Sequence, residues 1–355
     1  MLGHLLGLGE GAVGSVLAAV GTALPETMIP LVAIVFGTGA SSDAVGIGAI
    51  LGAPFMLATL AMFVTGVAVV WRMRHGSPSG SPGHAPGDGS PVDPAAAQTR
   101  PAGDLMTVDP KVVGHDLRAF GLIYLLAISV AFLPSDLSAP RWLMAVVLVI
   151  AYGRYVAGHV GAPPADDAEL PGPLRFQLRR GPADGAAPGV PGLPLVLFQV
   201  GLALAAIIGG AVVFVDAVET LARGIGLDET LLSLLIAPIA TELPEKLNSI
   251  IWIGRWRDTL ALGNITGAMV FQAAIPTSIA LIFASSEWSI ASDSLIAFAS
   301  AGVALASTAL IFVPMVRSGS LHGRRLLIGG RLLPCPAGPC RVQPERAGRQ
   351  LGRDR

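Results

Sequence analysis

The run "LGLGEGAVGSVLAAVGTALPET", Leu6 to Thr27, recurs as "IGLDETLLSLLIAPIATELPEK", Ile225 to Lys246, at a constant offset of 219 residues. Gly7 falls on Gly226, Glu10 on Glu229, Thr22 on Thr241, Pro25 on Pro244 and Glu26 on Glu245. A second match follows each copy: "DAVGIGAILGAPFM", Asp43 to Met56, aligns with "DTLALGNITGAMVF", Asp258 to Phe271, at an offset of 215. The chain therefore contains an internal repeat. In both copies a glutamate directly follows a proline inside an apolar run.

The apolar runs are membrane spans. The chain has 355 residues, 52% of them hydrophobic and only 13% charged, and its mean hydropathy is +0.66; a soluble domain is far less apolar. Windows long enough to cross the hydrocarbon core as helix occur at 11–37, 45–70, 117–134, 141–157, 195–217, 229–253, 259–284 and 290–316. None alternates with a period of two, so a closed barrel is excluded and helices must satisfy the backbone in lipid. The expected fold is an all-α polytopic membrane protein, a helical bundle of about eight transmembrane helices.

A net charge of -1 gives no footing for nucleic acid, but the charge is unevenly placed. With loops assigned alternately to two sides, only Arg141 and Arg223 of the 23 Lys and Arg fall on one side, and Lys246 lies within a span. The arginine-rich side is cytoplasmic by the positive-inside rule, which puts the protein in the plasma membrane as a multi-pass chain. On this topology the helix carrying Glu26 runs outward and the helix carrying Glu245 runs inward. The repeats are inverted, an arrangement that points to a midplane binding site and alternating access.

Six segments follow: a first repeat at 1–71, a linker at 72–116, two helices at 117–157, a loop at 158–192, the second half with the inverted repeat at 193–316, and a basic tail at 317–355. The linker, rich in Gly, Pro and Ser, and the arginine-rich tail read as disordered and cytoplasmic, and the loop reads as cytoplasmic. Trp71, Trp142, Trp252 and Trp288 fall near span ends, where interfacial anchors sit.

An ionised carboxylate at the centre of a membrane helix costs roughly 2.5 to 3.5 kcal/mol on insertion scales, so Glu26 and Glu245 call for a partner. A shared cation would offset both their repulsion and their desolvation. Pro25 and Pro244 add to this, since each leaves a carbonyl one turn earlier free to face an ion. All six histidines lie outside the spans or at their ends, and both cysteines, Cys335 and Cys340, lie in the tail. Oxygen ligands remain, which suit hard cations.

"GTALPE", Gly21 to Glu26, and "ATELPE", Ala240 to Glu245, resemble the repeat signature G-T-S-L-P-E of the sodium/calcium exchanger, or cation/calcium antiporter, superfamily. The glycine-rich helix that follows in such repeats is similar to "GAILGAP", Gly48 to Pro54, and "GNITGAM", Gly263 to Met269. The resemblance implies a secondary antiporter that exchanges Ca²⁺ for Na⁺ or H⁺, with no cofactor, inorganic cations and lipid as its partners, and no enzymatic step. It implies Glu26 and Glu245 as shared ion ligands, with Thr22, Thr241, Asn264 and Gln272 beside them. The chain departs from the signature at Ala23 and Glu242, where the family has serine, and at Ala49 in place of asparagine. These losses remove oxygens used chiefly for sodium, and Glu242 either replaces them or pairs with Lys246; a third possibility is that Lys246 is itself a built-in cation.

The family has ten helices, five per half, so a first and a last helix are expected to be missing, through a displaced start and a frameshift or loss near Gly330. Three other readings stay open on the residues alone: a proton-coupled exchanger, an intramembrane enzyme using Glu242 and Glu245 as acid and base, and an inactive truncated homologue.

Overall fold

The computed structural model describes residues 23–37, 40–75, 104–134, 137–160, 193–225, 232–234, 243–290 and 294–333. The architecture is a bundle of apolar helices: α1 (Leu24–Leu31), α2 (Ala40–Met56), α3 (Met62–His75), α4 (Pro110–Ser129), α5 (Ser138–Val160), α6 (Leu193–Ile225), α7 (Leu243–Gly254), α8 (Asp258–Phe283) and α9 (Leu295–Ser318). Two short helices close the described chain, α10 (Gly323–Leu326) and α11 (Ile328–Leu332). One antiparallel pair of two-residue strands, β1 (Leu105–Met106) and β2 (Leu321–His322), joins Leu105 to His322 and Met106 to Leu321.

Six helical stretches among the described residues are long and apolar enough to cross a membrane, against the eight expected. The two others are the motif segments, 11–37 and 229–253, of which only the later parts are described: a short apolar helix, Glu26–Phe36, and α7. Ala23 has φ -82° and ψ 2°, outside the helical run, and Pro25 stands in the first turn of the described helix, where its missing N–H would have had no partner anyway.

Burial orders the helices. Of the most apolar 18-residue stretch in each span, 83% is buried for both α2–α3 and α8, against 22% for α5 and 12% for α6. The two central elements are thus the second helices of the two repeats. α8 packs against α4, α5, α7, α2 and α1, while α9 packs against α2 and α4. α2 and α3 are joined by a π-helical turn, Leu57–Ala61, three residues after Pro54; Pro54 cannot donate within the helix, and wider turns absorb such breaks.

Polar clamps fix the ends. Arg72 of α3 donates from Nη1 to Asp258 Oδ1 at 2.7 Å and from Nη2 to Oδ2 at 3.1 Å, and its guanidinium lies 3.9 Å over the Trp256 ring. At the other end Arg141 donates to the carbonyl oxygens of Leu133, Ser285 and Trp288. Trp288 is not an interfacial anchor: it is fully buried, donates from Nε1 to Ala127 O at 3.1 Å and meets Phe298 edge to face.

The linker and tail are more ordered at their edges than expected. Helix α4 begins at Pro110, with Asp109 capping the Lys111 N–H at 2.8 Å, and 104–109 belongs to the fold. After α9 the chain turns at Gly319, with φ 67°, pairs β2 with β1, and runs back along α3 from Val69 to Thr59. Glycines permit that approach, since a Cβ on Gly329 would stand 2.3 Å from the Thr59 carbonyl and one on Gly330 2.4 Å from Phe63. Residues 319–333 are therefore a docked segment, not a disordered tail.

Candidate functional site

Glu26 occupies the first turn of α1 and is 5% exposed. A carboxylate there faces the positive end of the helix dipole. Its neighbour Thr27 is also buried and donates its hydroxyl to Ala23 O at 3.0 Å, which fixes the orientation of that side chain. α1 packs on α2, α6 and α8, which sets Glu26 among the central helices.

Asn264 and Gln272 project from α8, and both are fully buried. At 100° per residue they lie about 80° apart around the helix and about 12 Å apart along it, so they line one side at two depths. Among the described residues neither amide atom of Gln272 has a hydrogen-bond partner. A buried amide left so is costly unless something polar meets it, which suits the wall of an ion path.

Glu245 stands in the first described turn of α7, as Glu26 does in α1. Thr22, Thr241 and Glu242 lie outside the described residues. Lys246 is 6% exposed, a buried cation at the position where the first repeat has Thr27. The structure thus sets Glu26, Asn264 and Gln272 inside one helical core, with α7 packed against α8 and α3.

A second polar cluster was not anticipated. Asp116 on α4 is completely buried and accepts from Tyr155 Oη at 3.0 Å and Thr266 Oγ1 at 2.6 Å, while His159 Nε2 lies 3.0 Å from its Oδ1. It ties α4, α5 and α8 together at the end that carries Arg118 and Arg154. Thr266 lies two residues after Asn264, about 200° around α8, so this cluster sits on the opposite side of the helix from Asn264. The only hint in the sequence is the pair "HD" at 115–116 inside an apolar helix with "GH" at 158–159 ending the next.

Comparison with known proteins supports this reading of the fold. Residues 195–328 match the family model described as sodium/calcium exchanger protein. None of the curated proteins searched is similar enough in sequence to serve as a relative. Among solved structures, the sodium-calcium exchanger NCX_Mj, soaked with Na⁺ and Sr²⁺, is similar at a TM-score of 0.55 and 15% identity, covering 96% of this chain and 90% of that one. The H⁺/Ca²⁺ exchanger CAX is similar at a TM-score of 0.56 and 16% identity, covering 94% and 74%. The second half thus contains a segment similar to the sodium/calcium exchanger family, and the fold of the chain is similar to that of both exchangers.

Proposed function

We propose that the chain is a secondary cation antiporter that exchanges Ca²⁺ across the plasma membrane through a midplane site built on Glu26 and Glu245, alternating access between the two sides. The burial of Glu26 in the first turn of a helix that begins at a proline carries the reading. A carboxylate in that place is stabilised by the helix N-terminus and by a bound cation together. Thr22, Thr241 and Asn264 complete the oxygen set, Gln272 lines the approach, and Glu242 supplies the oxygen that the missing serine would give.

The coupling ion is H⁺ on the second reading, and a specific observation favours it. Ala23, where the family signature has serine, is buried with no side-chain oxygen to offer, so a sodium shell is short of one ligand in the first repeat. A carboxylate can carry a proton in place of sodium without that ligand.

Flux in proteoliposomes tests both. Ca²⁺ uptake driven by an outward Na⁺ gradient or by a pH gradient is measured for the wild type, Glu26→Gln and Glu245→Gln. Both substitutions are expected to reduce uptake to the level of empty vesicles; full uptake in either would remove the shared site. Uptake driven by the pH gradient alone selects the proton-coupled form.

A further inference from the structure

His115, Asp116 and His159 present their ligand atoms within 4.8 Å of one another. We propose that these three side chains form a binding site for a divalent transition cation of the Zn²⁺ class, separate from the transport path.

The spacing fits such an ion. His159 Nε2 and Asp116 Oδ1 are 3.0 Å apart, and a tetrahedral ion bonded to both at about 2.0 to 2.1 Å would hold them about 3.3 Å apart. Opening the pair by a few tenths of an ångström, and closing the widest separation in the set from 4.8 Å by about 1.5 Å through a turn of the exposed His115 side chain, brings all three to a tetrahedral ion.

The imidazole of His159 is already set for this. Its Nδ1 is 3.1 Å from the Tyr155 carbonyl oxygen, to which it donates an N–H, and the proton that Nε2 shares with Asp116 leaves when a metal takes its place; a backbone carbonyl is a usual outer partner of a metal-bound imidazole. Asp116 is oriented in the same way by the hydroxyls of Tyr155 and Thr266, and its charge offsets that of the cation.

His115 closes the site from the exposed side. Its ring centroid is 4.8 Å from that of His159, and the ring stacks on Tyr155 at 5.5 Å. Gly158 lets it lie there, since a Cβ at that position would come within 3.3 Å of the His115 ring. With His115 exposed and the other two buried, an ion enters from water past one imidazole and keeps its fourth position open.

The donor set also sorts the ions. Two imidazoles and one carboxylate suit Zn²⁺, Co²⁺ or Ni²⁺, whereas Ca²⁺ takes six to eight oxygens. A metal here would join α4 to α5, and the hydrogen bond from Thr266 to Asp116 carries that link to α8, the central helix of the second repeat.

The test is a titration of the purified full chain with Co²⁺, followed by its d–d absorption and by displacement with Zn²⁺. One equivalent is expected with the spectrum of a low-coordinate imidazole site. His159→Gln and His115→Ala should each weaken binding by more than ~10-fold and lose that spectrum; His115 is exposed, so its variant tests the site without disturbing the core. Thr266→Val, which removes only an outer hydrogen bond, should weaken it by ~10- to 100-fold. No binding to the wild type, or an unchanged spectrum in both histidine variants, overturns the proposal. Glu26→Gln should keep the site, and loss of the spectrum there would assign the ion to the transport path instead.

Discussion

At the scale of single residues, Gln272 and Lys246 separate transport from packing. Gln272 is buried with both amide atoms lacking a hydrogen bond among the described residues, a condition worth roughly 1 to 3 kcal/mol of lost stability. Gln272→Leu is therefore expected to raise the unfolding temperature in detergent while lowering cation flux in proteoliposomes. A variant that is more stable and equally active would make Gln272 a mere packing defect. Lys246 stands where the first repeat has Thr27, whose hydroxyl donates to Ala23 O of its own helix. Lys246→Thr restores the symmetry of the two repeats, and a changed ratio of Na⁺-driven to pH-driven uptake would show that the ammonium takes part in coupling.

Between elements, the clamp of Arg72 on Asp258 joins α3 of the first repeat to the elbow between α7 and α8 of the second. Trp256, at the elbow, has φ 61°, and Arg72 also donates to Ile253 O, so the bend is held by three contacts of one guanidinium. Asp258→Asn leaves Arg72 buried without its counter-charge, and a loss of about 3 to 5 kcal/mol is expected, read by thermal unfolding. The double variant Arg72→Met with Asp258→Leu should recover much of that. At the repeat offset of 215, Arg72 corresponds to Glu287 and Asp258 to Asp43, so the other face has two carboxylates where this one has an ion pair. The docked segment after α9 makes a second test: Gly329→Val would drive side-chain atoms into the Thr59 carbonyl, and proteolysis beyond Ser318 should then become rapid. Neither the docked segment nor the Asp116 cluster was legible as such in the sequence. The segment 321–333 is too short and too glycine-rich to register as a span, and the Asp116 cluster joins residues 39 and 150 positions apart, a contact made by helix packing rather than by any local pattern. The repeat was legible because a Pro–Glu pair inside an apolar run, met twice at one offset, marks its own position; the central place of the glycine-rich helices follows from the small residues that let helices approach closely.

For the whole molecule, the inverted repeat requires that α1 and α7 cross in opposite senses. Phe36 follows α1 and Arg255 follows α7, and both are exposed, so they should face opposite sides of the membrane. The arginine-rich ends of α3, α5 and α7 should all lie on the cytoplasmic side. Single cysteines at Phe36, Ser138, Arg154 and Arg255, in a chain with Cys335 and Cys340 replaced by serine, can be probed with an impermeant maleimide. Phe36→Cys and Ser138→Cys should label in intact cells, and Arg154→Cys and Arg255→Cys only after permeabilisation. Complete reversal would keep the inversion but turn the molecule over, placing the Asp116 cluster on the outer side. Labelling of positions 36 and 255 from the same side would end the inverted-repeat reading, because the two glutamates would then enter from parallel helices and could not close on one ion from opposite faces.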